Sequence, residues 1–184
     1  MMEDLAMHII EILMNSIAAN ATKILLRIKN SINEDIISIE VEDNGKGMSK
    51  EKAKKASSPF STSRKTRKIG MGLAFLKGLC DTCNGTFEID SEEGVGTKVK
   101  AAIQKSHIDT PELGNIGEIC MATLQANEDL DFTLEYNNDV TSFIFSSNEI
   151  RKELDGVSLN EPEILLWIKD YINQGIKQAE EDKI

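Results

Sequence analysis

Apolar and polar residues alternate in several short stretches of the chain, with the period of two that half-buried strands show. The clearest stretch is Ile36–Asp43, in which Ile37, Ile39 and Val41 share one face. Asp43 falls on that same apolar face, at the end of the stretch. A buried carboxylate is costly unless it is paired or hydrogen-bonded. We therefore expect a designated partner for Asp43, either its own backbone turn or a ligand.

The same kind of pattern predicts the other elements of the N-terminal half. Leu5–Ala19 is apolar on almost all sides, which is typical of a buried helix. Ser49–Ala56 is predicted as a short helix with Ser49 as its N-cap, and a longer helix should run from Gly70 to about Cys83. The strands predicted from alternation are Lys23–Lys29, Ile36–Asp43, Thr86–Asp90 and Thr97–Ile103.

The pattern restarts near Lys105–Pro111, which predicts two units, residues 1–105 and residues 106–184. The second unit is predicted as a small α+β unit. Its expected elements are a helix at Leu113–Ala126, strands at Asp131–Tyr136 and Val140–Phe145, and helices at Asn148–Leu154 and Pro162–Glu181.

Charge divides along the same boundary. The chain has a net charge of −10, but residues 1–105 hold 16 basic and 14 acidic residues, whereas residues 106–184 hold 5 and 17. Nine basic residues and one acid lie within Lys46–Lys68. This basic segment is either a solvated face or an anion-binding one. Because the chain as a whole is acidic and contains no recognised nucleic-acid-binding motif, we expect no nucleic-acid partner.

Targeting signals and cysteines add little chemistry. No long apolar stretch occurs and Met1–Asp4 is acidic, so we expect a cytoplasmic protein that does not enter a membrane. Three cysteines form no disulfide-scaffold pattern. Cys80 and Cys83 form a CxxC on a helix end without a second pair, which favours packing over a metal or redox role.

Four polar or glycine-rich features follow one another in the first unit. Glu11 and Asn15 lie four residues apart on one helix face, either as a hydrogen-bonded core pair or as the lining of a cavity. Asp43 precedes a turn with Gly45 and Gly47. The other two features are Gly70-Met71-Gly72-Leu73, a helix start after basic residues that suits phosphate, and Gly94-Val95-Gly96-Thr97, which leads into a strand with Thr97 on its buried face.

Together these features resemble the conserved boxes of the GHKL (Bergerat-fold) ATPases, which include histidine kinases, anti-sigma kinases, MutL proteins, type II topoisomerases and heat-shock chaperones. The matching segments are Glu11-Ile-Leu-Met-Asn15, Asp43-Asn-Gly-Lys-Gly-Met48, Gly70-Met-Gly-Leu73 and Gly94-Val-Gly-Thr97. Ser58–Arg64 is similar to the lid segment of histidine kinases. The resemblance covers about residues 1–104.

The resemblance implies a two-layer α/β sandwich, with a mixed, mostly antiparallel sheet, helices on one face and ATP under a lid. It implies that Asp43 and Thr97 read adenine, that Met48 packs near the base and that Asn15 binds Mg²⁺. It also implies that the Gly70–Leu73 segment (Gly70, Met71, Gly72, Leu73) binds phosphates. It places Gly45 and Gly47 in the same ATP site. By the same resemblance, Arg64 and Lys65 balance phosphate charge and Glu11 polarises the attacking water or hydroxyl.

The family's branches differ at position 11. A glutamate at this position is usual in the branches that hydrolyse ATP or phosphorylate serine, and Glu11 resembles those branches. The lid and the Gly70–Leu73 segment instead resemble histidine kinases. Only ten residues precede Glu11, so we expect no phosphoacceptor hairpin in this chain. His8 lies one turn before Glu11, and we expect a core or edge histidine there and not a phosphoacceptor.

We therefore expect a kinase that phosphorylates a separate protein docked on residues 106–184. The alternative is an anti-sigma-like ATP-gated switch or slow ATPase. The expected ligands are ATP and Mg²⁺. Trp167 and Tyr171 on the last helix indicate core packing or a subunit contact, which leaves a homodimer open.

Overall fold

The computed structural model describes residues 4–56 and 71–181. Within these ranges the helices and strands follow the sequence pattern closely. In chain order they are α1 (Leu5–Ala18), β1 (Lys23–Ser31), β2 (Ile36–Asp43), α2 (Lys50–Ala56), α3 (Met71–Thr82), β3 (Thr86–Glu92), β4 (Gly96–Gln104), α4 (Ile116–Ala126), β5 (Asp131–Asn138), β6 (Ser142–Ser146), α5 (Ser147–Glu153) and α6 (Pro162–Glu181).

The described strands form one six-stranded sheet in the order β3-β4-β2-β1-β5-β6. Every neighbouring pair is antiparallel except β1 and β5, which are parallel. A hairpin can join antiparallel neighbours directly, whereas the parallel pair needs a long crossover. This mixed, mostly antiparallel sheet confirms the predicted fold class.

The core lies between the sheet and the helices. Alternate residues of the central strands are buried on the helix side, as the period of two predicts. In β1 these are Ile24, Leu26 and Ile28, each fully buried. Helices α1, α3, α4 and α6 cover this face, with α4 packing between α1 and α6. The result is the predicted two-layer arrangement.

The opposite face of the sheet carries an ion-pair cluster centred on Glu40. Arg27 hydrogen-bonds to Glu40, Lys98 Nζ lies 3.1 Å from Glu40 Oε1, and Lys100 Nζ lies 3.6 Å from Glu40 Oε2. Burial acts to raise the pKa of Glu40, but hydrogen bonds from Lys98 and Arg27 outweigh it and hold that pKa below its usual value. This face is therefore a charged surface without covering helices among the described residues.

The acidic C-terminal residues extend this sheet. Strand β5 pairs with β1 over eight residues, from Lys23 opposite Asp131 to Asn30 opposite Asn138. Phe132, Leu134 and Tyr136 join the same buried core as β1. The predicted boundary near residue 105 thus falls between strands of a single sheet.

Two C-terminal boundaries differ from the sequence expectation, each for a local reason. Helix α4 begins at Ile116 instead of Leu113, because Asn115 Oδ1 caps it by accepting the Glu118 N–H at 2.9 Å. Strand β6 begins after a turn in which the Asn138 N–H donates to the Thr141 carbonyl at 3.0 Å. No helix in the described parts of the chain is both long and apolar enough to cross a membrane.

Candidate nucleotide site

Asp43 ends β2 in the middle of the sheet, opposite Ile24 of β1 and Thr97 of β4. Its carboxylate is half-buried and held at both oxygens. Oδ2 accepts the Ser16 hydroxyl at 2.6 Å, and Oδ1 accepts the Gly45 N–H at 2.9 Å. A carboxylate oxygen has two acceptor positions, so each oxygen can still accept one further hydrogen bond. Asp43 is therefore fixed in orientation and able to receive a donor from a ligand.

The turn after Asp43 is fastened to the end of α1. Asn44 Oδ1 accepts the N–H groups of Thr22 and Lys23, each at 2.9 Å. Glycine is needed here for chain packing. A Cβ at Gly45 would lie 2.9 Å from Ala19 Cβ, and one at Gly47, where φ is +63°, would lie 1.9 Å from the Glu92 carbonyl oxygen. The close approach made by these two glycines is to protein, and it holds the Asp43 turn in place.

A buried serine joins this turn to the start of β4. The Met48 N–H donates to Ser91 Oγ at 2.8 Å, and Ser91 Oγ lies 2.8 Å from Thr97 Oγ1. At Gly96, φ is +145° and a Cβ would lie 1.9 Å from the Asp43 carbonyl oxygen. The backbones of the second and fourth motifs are therefore in direct contact. Met48, Asp43 and Thr97 are brought together as the sequence predicts.

The polar face of α1 borders the same region. Glu11 is exposed and Asn15 is half-buried, so neither is a core residue. Ser16, the Asp43 partner, is 2 % exposed. Of the two alternatives for Glu11 and Asn15, this exposure favours the lining of an open cavity over a buried hydrogen-bonded pair.

The first turn of α3 packs against Glu11. Gly72 is buried, and a Cβ added there would lie 2.8 Å from Glu11 Cβ and 3.5 Å from Glu11 Oε2. Leu73 is 4 % exposed in the core, and Met71 opens the helix. The predicted phosphate-binding residues Gly70, Arg64 and Lys65, and the lid segment Ser58–Arg64, lie outside the described residues. The described part nonetheless places the start of α3 beside the carboxylate of α1.

These contacts bring the described residues of all four motifs together at one end of the central strands β2 and β4. A family model of histidine kinase-, DNA gyrase B- and HSP90-like ATPases matches residues 3–107, more than half of the chain. The chain belongs to this family. The matched segment runs from α1 to the end of β4 and includes every residue that the sequence assigns to the ATP site. Family membership supports an ATP-binding domain of the histidine-kinase-like ATPase type.

Curated relatives each match part of the chain. An anti-sigma F factor from Clostridium beijerinckii is 38 % identical over 76 residues, which are 41 % of this chain and 49 % of that protein. A non-motile and phage-resistance protein from Caulobacter vibrioides is 34 % identical over 80 residues, or 41 % and 10 % of the two lengths. Histidine protein kinase 1 from Candida albicans is 39 % identical over 66 residues, or 33 % and 3 %. The chain thus spans less than half the length of these relatives.

Two solved structures share the fold over more of the chain than the family model matches. The Aquifex aeolicus MutL ATPase domain complexed with ADP is 16 % identical with a TM-score of 0.50, covering 84 % of this chain and 68 % of its own. The N-terminal domain of a DNA repair protein is 17 % identical with a TM-score of 0.52, covering 78 % and 52 %. At such identities the similarity shows the fold alone, and its coverage includes part of the acidic C-terminal region.

Other candidate groups have structural explanations. His8 is 6 % exposed in α1, and burial lowers its pKa, against the opposing charge of Asp4, as in a core histidine. Cys80, Cys83 and Cys120 are free and buried, and burial raises the pKa of Cys80 to about 11, which disfavours the reactive thiolate. Within residues 4–56 and 71–181, no group of three or more His, Cys, Asp or Glu side chains could hold a metal ion.

Sequence reasoning missed Ser16 and Ser91, the two hydroxyls that hold the site together. Both carry a recognisable signal. Ser16 is a polar residue on the buried side of an apolar helix, and Ser91 lies at the end of an alternating strand, six residues before Thr97. Buried polar groups of this kind are almost always hydrogen-bonded, so each could have been predicted to contact another polar residue of the site.

Proposed function

We propose that the chain binds Mg-ATP at this end of the central strands. Asp43, oriented by Ser16, accepts the adenine amino group, and Thr97 reads the ring edge. Met48 packs near the base, in the turn with Gly45 and Gly47. The family match and the fit of a half-buried, doubly anchored carboxylate with spare acceptor positions support this assignment.

The phosphates are assigned to the start of α3. Backbone N–H groups at a helix start favour anions. Gly70, Met71, Gly72 and Leu73 would supply these groups, and Arg64 and Lys65 would balance the charge. Asn15 would hold Mg²⁺ through its amide oxygen, because this hard ion takes oxygen ligands and usually completes its shell with phosphates and water. The ion would neutralise charge developing on the transferred phosphoryl group.

One observation supports most directly a role for Glu11 in phosphoryl transfer. Gly72 packs so closely on Glu11 that the Glu11 carboxylate lies beside the first turn of α3, where the phosphates are assigned. Glu11 would accept a proton from the attacking hydroxyl or water. As the attacking oxygen bonds to the γ-phosphorus, the bond between that phosphorus and the β–γ bridging oxygen would break, and ADP would leave.

For the acceptor, we propose a nucleophilic side chain of a separate protein that docks on residues 106–184. This is the action of a histidine-kinase-like protein kinase. The second candidate is an ATP-gated switch with slow hydrolysis, in which water takes the phosphoryl group and nucleotide binding changes affinity for a partner. The similarity of the chain to an anti-sigma F factor supports this second candidate function.

Nucleotide binding is tested by thermal unfolding of the native chain with and without Mg-ATP. A ligand that binds only the folded state raises the melting temperature. We expect this rise in the unaltered protein and its loss in Asp43→Asn. Asp90→Asn, on an exposed position of β3, is the matched control and should keep the rise. An undiminished rise in Asp43→Asn would remove Asp43 from the adenine site.

The fate of the phosphate is tested with γ-labelled ATP. Label transferred to an added partner, and lost with Glu11→Gln, supports the kinase. Release of inorganic phosphate that depends on Glu11, with no label on any partner, supports the switch and excludes the kinase. If Glu11→Gln leaves phosphate release unchanged, Glu11 has no catalytic role in either the kinase or the switch.

A further inference from the structure

Strand β6 forms one edge of the sheet, and none of the described residues pairs with its outer side. The Asn138 N–H donates to the Thr141 carbonyl, and Tyr136 stands opposite Phe143. Because hydrogen-bonded and outward-facing positions alternate in an antiparallel pair, the backbone groups of Ser142 and Ile144 point away from β5. The edge thus offers unpaired backbone donors and acceptors to another strand.

The sequence of this edge is unusual in two ways. Ser142–Ser146 is Ser-Phe-Ile-Phe-Ser, which is the same in both directions about Ile144. It also contains no charge or proline, although 28 % of the chain is charged. Edge strands normally carry lysine, proline or bulges that prevent pairing with another strand. This edge lacks such protection, and its symmetry suits antiparallel pairing with itself.

An exposed aromatic surface lies beside the edge on the helix side. The rings of Phe143 and Tyr171 are 5.6 Å apart, and Tyr171 stacks on Trp167 at 5.0 Å. Trp167 is 50 % exposed and Tyr171 40 %. Ile144, which is 59 % exposed, lies on the opposite face of the sheet, where it stands across from Glu135. Gly175 lets the Phe143 ring lie against α6, since a Cβ there would be 2.2 Å from it. Large apolar side chains clustered this way mark interaction surfaces.

The distribution of charge around this surface is compatible with a second copy of the chain as the partner. Trp167, Tyr171, Gln174, Gly175 and Gln178 follow one another at helical spacing along one face of α6, and none is charged. Residues 106–184 otherwise hold 17 acidic against 5 basic residues, so two copies would repel each other across most of this half. The β6 edge and this strip of α6 carry no charge themselves, and the nearest exposed acidic side chains of the helix, Glu163, Asp170 and Glu181, lie at the margin of the strip.

We propose that a second copy of the chain covers this surface, with β6 pairing antiparallel to β6 about a two-fold axis at Ile144. Ser142 then lies opposite Ser146 of the other copy and Phe143 opposite Phe145. A self-complementary patch of this kind closes as a dimer. The exposed parts of Trp167, Tyr171, Ile144 and Val140 present roughly 400 Å² per copy, and the edge and glutamines bring this to roughly 700 Å².

That area is at the lower end of the range for stable interfaces, so we expect dissociation in the micromolar range. The proposal is independent of the nucleotide site. Sedimentation of the full chain over roughly a hundredfold range of concentration should show a monomer becoming a dimer, with or without Mg-ATP. Trp167 is the chain's single tryptophan, so its emission should shift to the blue over the same range.

Ile144→Lys should leave the chain monomeric, because it places like charges opposite each other on the axis. Gln174→Lys, which does not alter the strand, should weaken the dimer several-fold. Ile108→Lys is the control, since Ile108 is 95 % exposed elsewhere, and it should dimerise normally. A monomer at every concentration, or a dimer that Ile144→Lys and Gln174→Lys leave unchanged, would overturn the proposal. Either result would leave the surface to a different protein.

Discussion

The contact between α1 and α3 can be tested by adding one methyl group. Carbon atoms in contact lie about 3.5–4.0 Å apart. A Cβ on Gly72 would lie only 2.8 Å from Glu11 Cβ, so Gly72→Ala must separate the start of α3 from α1 by about 1 Å. A displacement of this size in a catalytic arrangement can reduce the rate about 100-fold. We expect this loss in phosphate release, together with weaker Mg-ATP binding.

The same helix supplies the control. Gly78 has nothing within 4 Å of an added Cβ. Gly78→Ala should therefore stabilise the protein by about 0.5–1 kcal/mol, the usual gain when alanine replaces glycine inside a helix. In Gly72→Ala that gain competes with an overpacking cost of about 1–3 kcal/mol. ATP affinity by calorimetry and phosphate release should change only in Gly72→Ala. If both variants bind and turn over ATP like the unaltered protein, the α1–α3 contact is not part of the site.

Two further predictions concern buried polar groups. Because burial lowers the pKa of His8, against the opposing effect of Asp4, the unfolded chain takes up this proton more readily. Stability should fall as pH drops through the ordinary value of 6.5, and His8→Met should show a smaller fall in urea unfolding at a series of pH values. Ser91→Ala should cost about 1–3 kcal/mol, because it removes the acceptor of the Met48 N–H and the partner of Thr97. Denaturant unfolding measures this cost, and an unchanged midpoint would contradict it.

The arrangement of the candidate site was predictable because its signals are local. Alternation placed Asp43 and Thr97 on the helix side of neighbouring strands, and the strand register sets them directly opposite each other. Helical spacing placed Glu11 and Asn15 on one face of α1. What the pattern could not supply is the hydrogen bonding between these segments. Ser16 lies 27 residues from Asp43, and only the folded geometry shows that its hydroxyl fixes the carboxylate.

The glycines illustrate the same limit. Their positions predicted turns and close approaches, and the close approaches occur. The sequence could not tell whether a glycine makes room for a ligand or for the chain itself. Gly45 and Gly47 make room for Ala19 and Glu92, whereas Gly72 makes room for Glu11 at the assigned phosphate site. A glycine motif therefore predicts contact, and the structure is needed to identify what is contacted.

The position of the acidic region was the least predictable feature, although its elements were predicted well. Pro162–Glu181 is helical as expected, because its periodicity and its proline are local signals. The parallel pairing of β5 with β1 joins residues 108 positions apart, as in the hydrogen bond between Arg27 and Glu135 at 2.9 Å. The alternation of inward and outward residues in β5 does not predict which edge of the N-terminal strands β5 joins. Because β5 pairs with the outer side of β1, β6 becomes the edge strand, and its uncharged, symmetric segment lies where another chain can reach it.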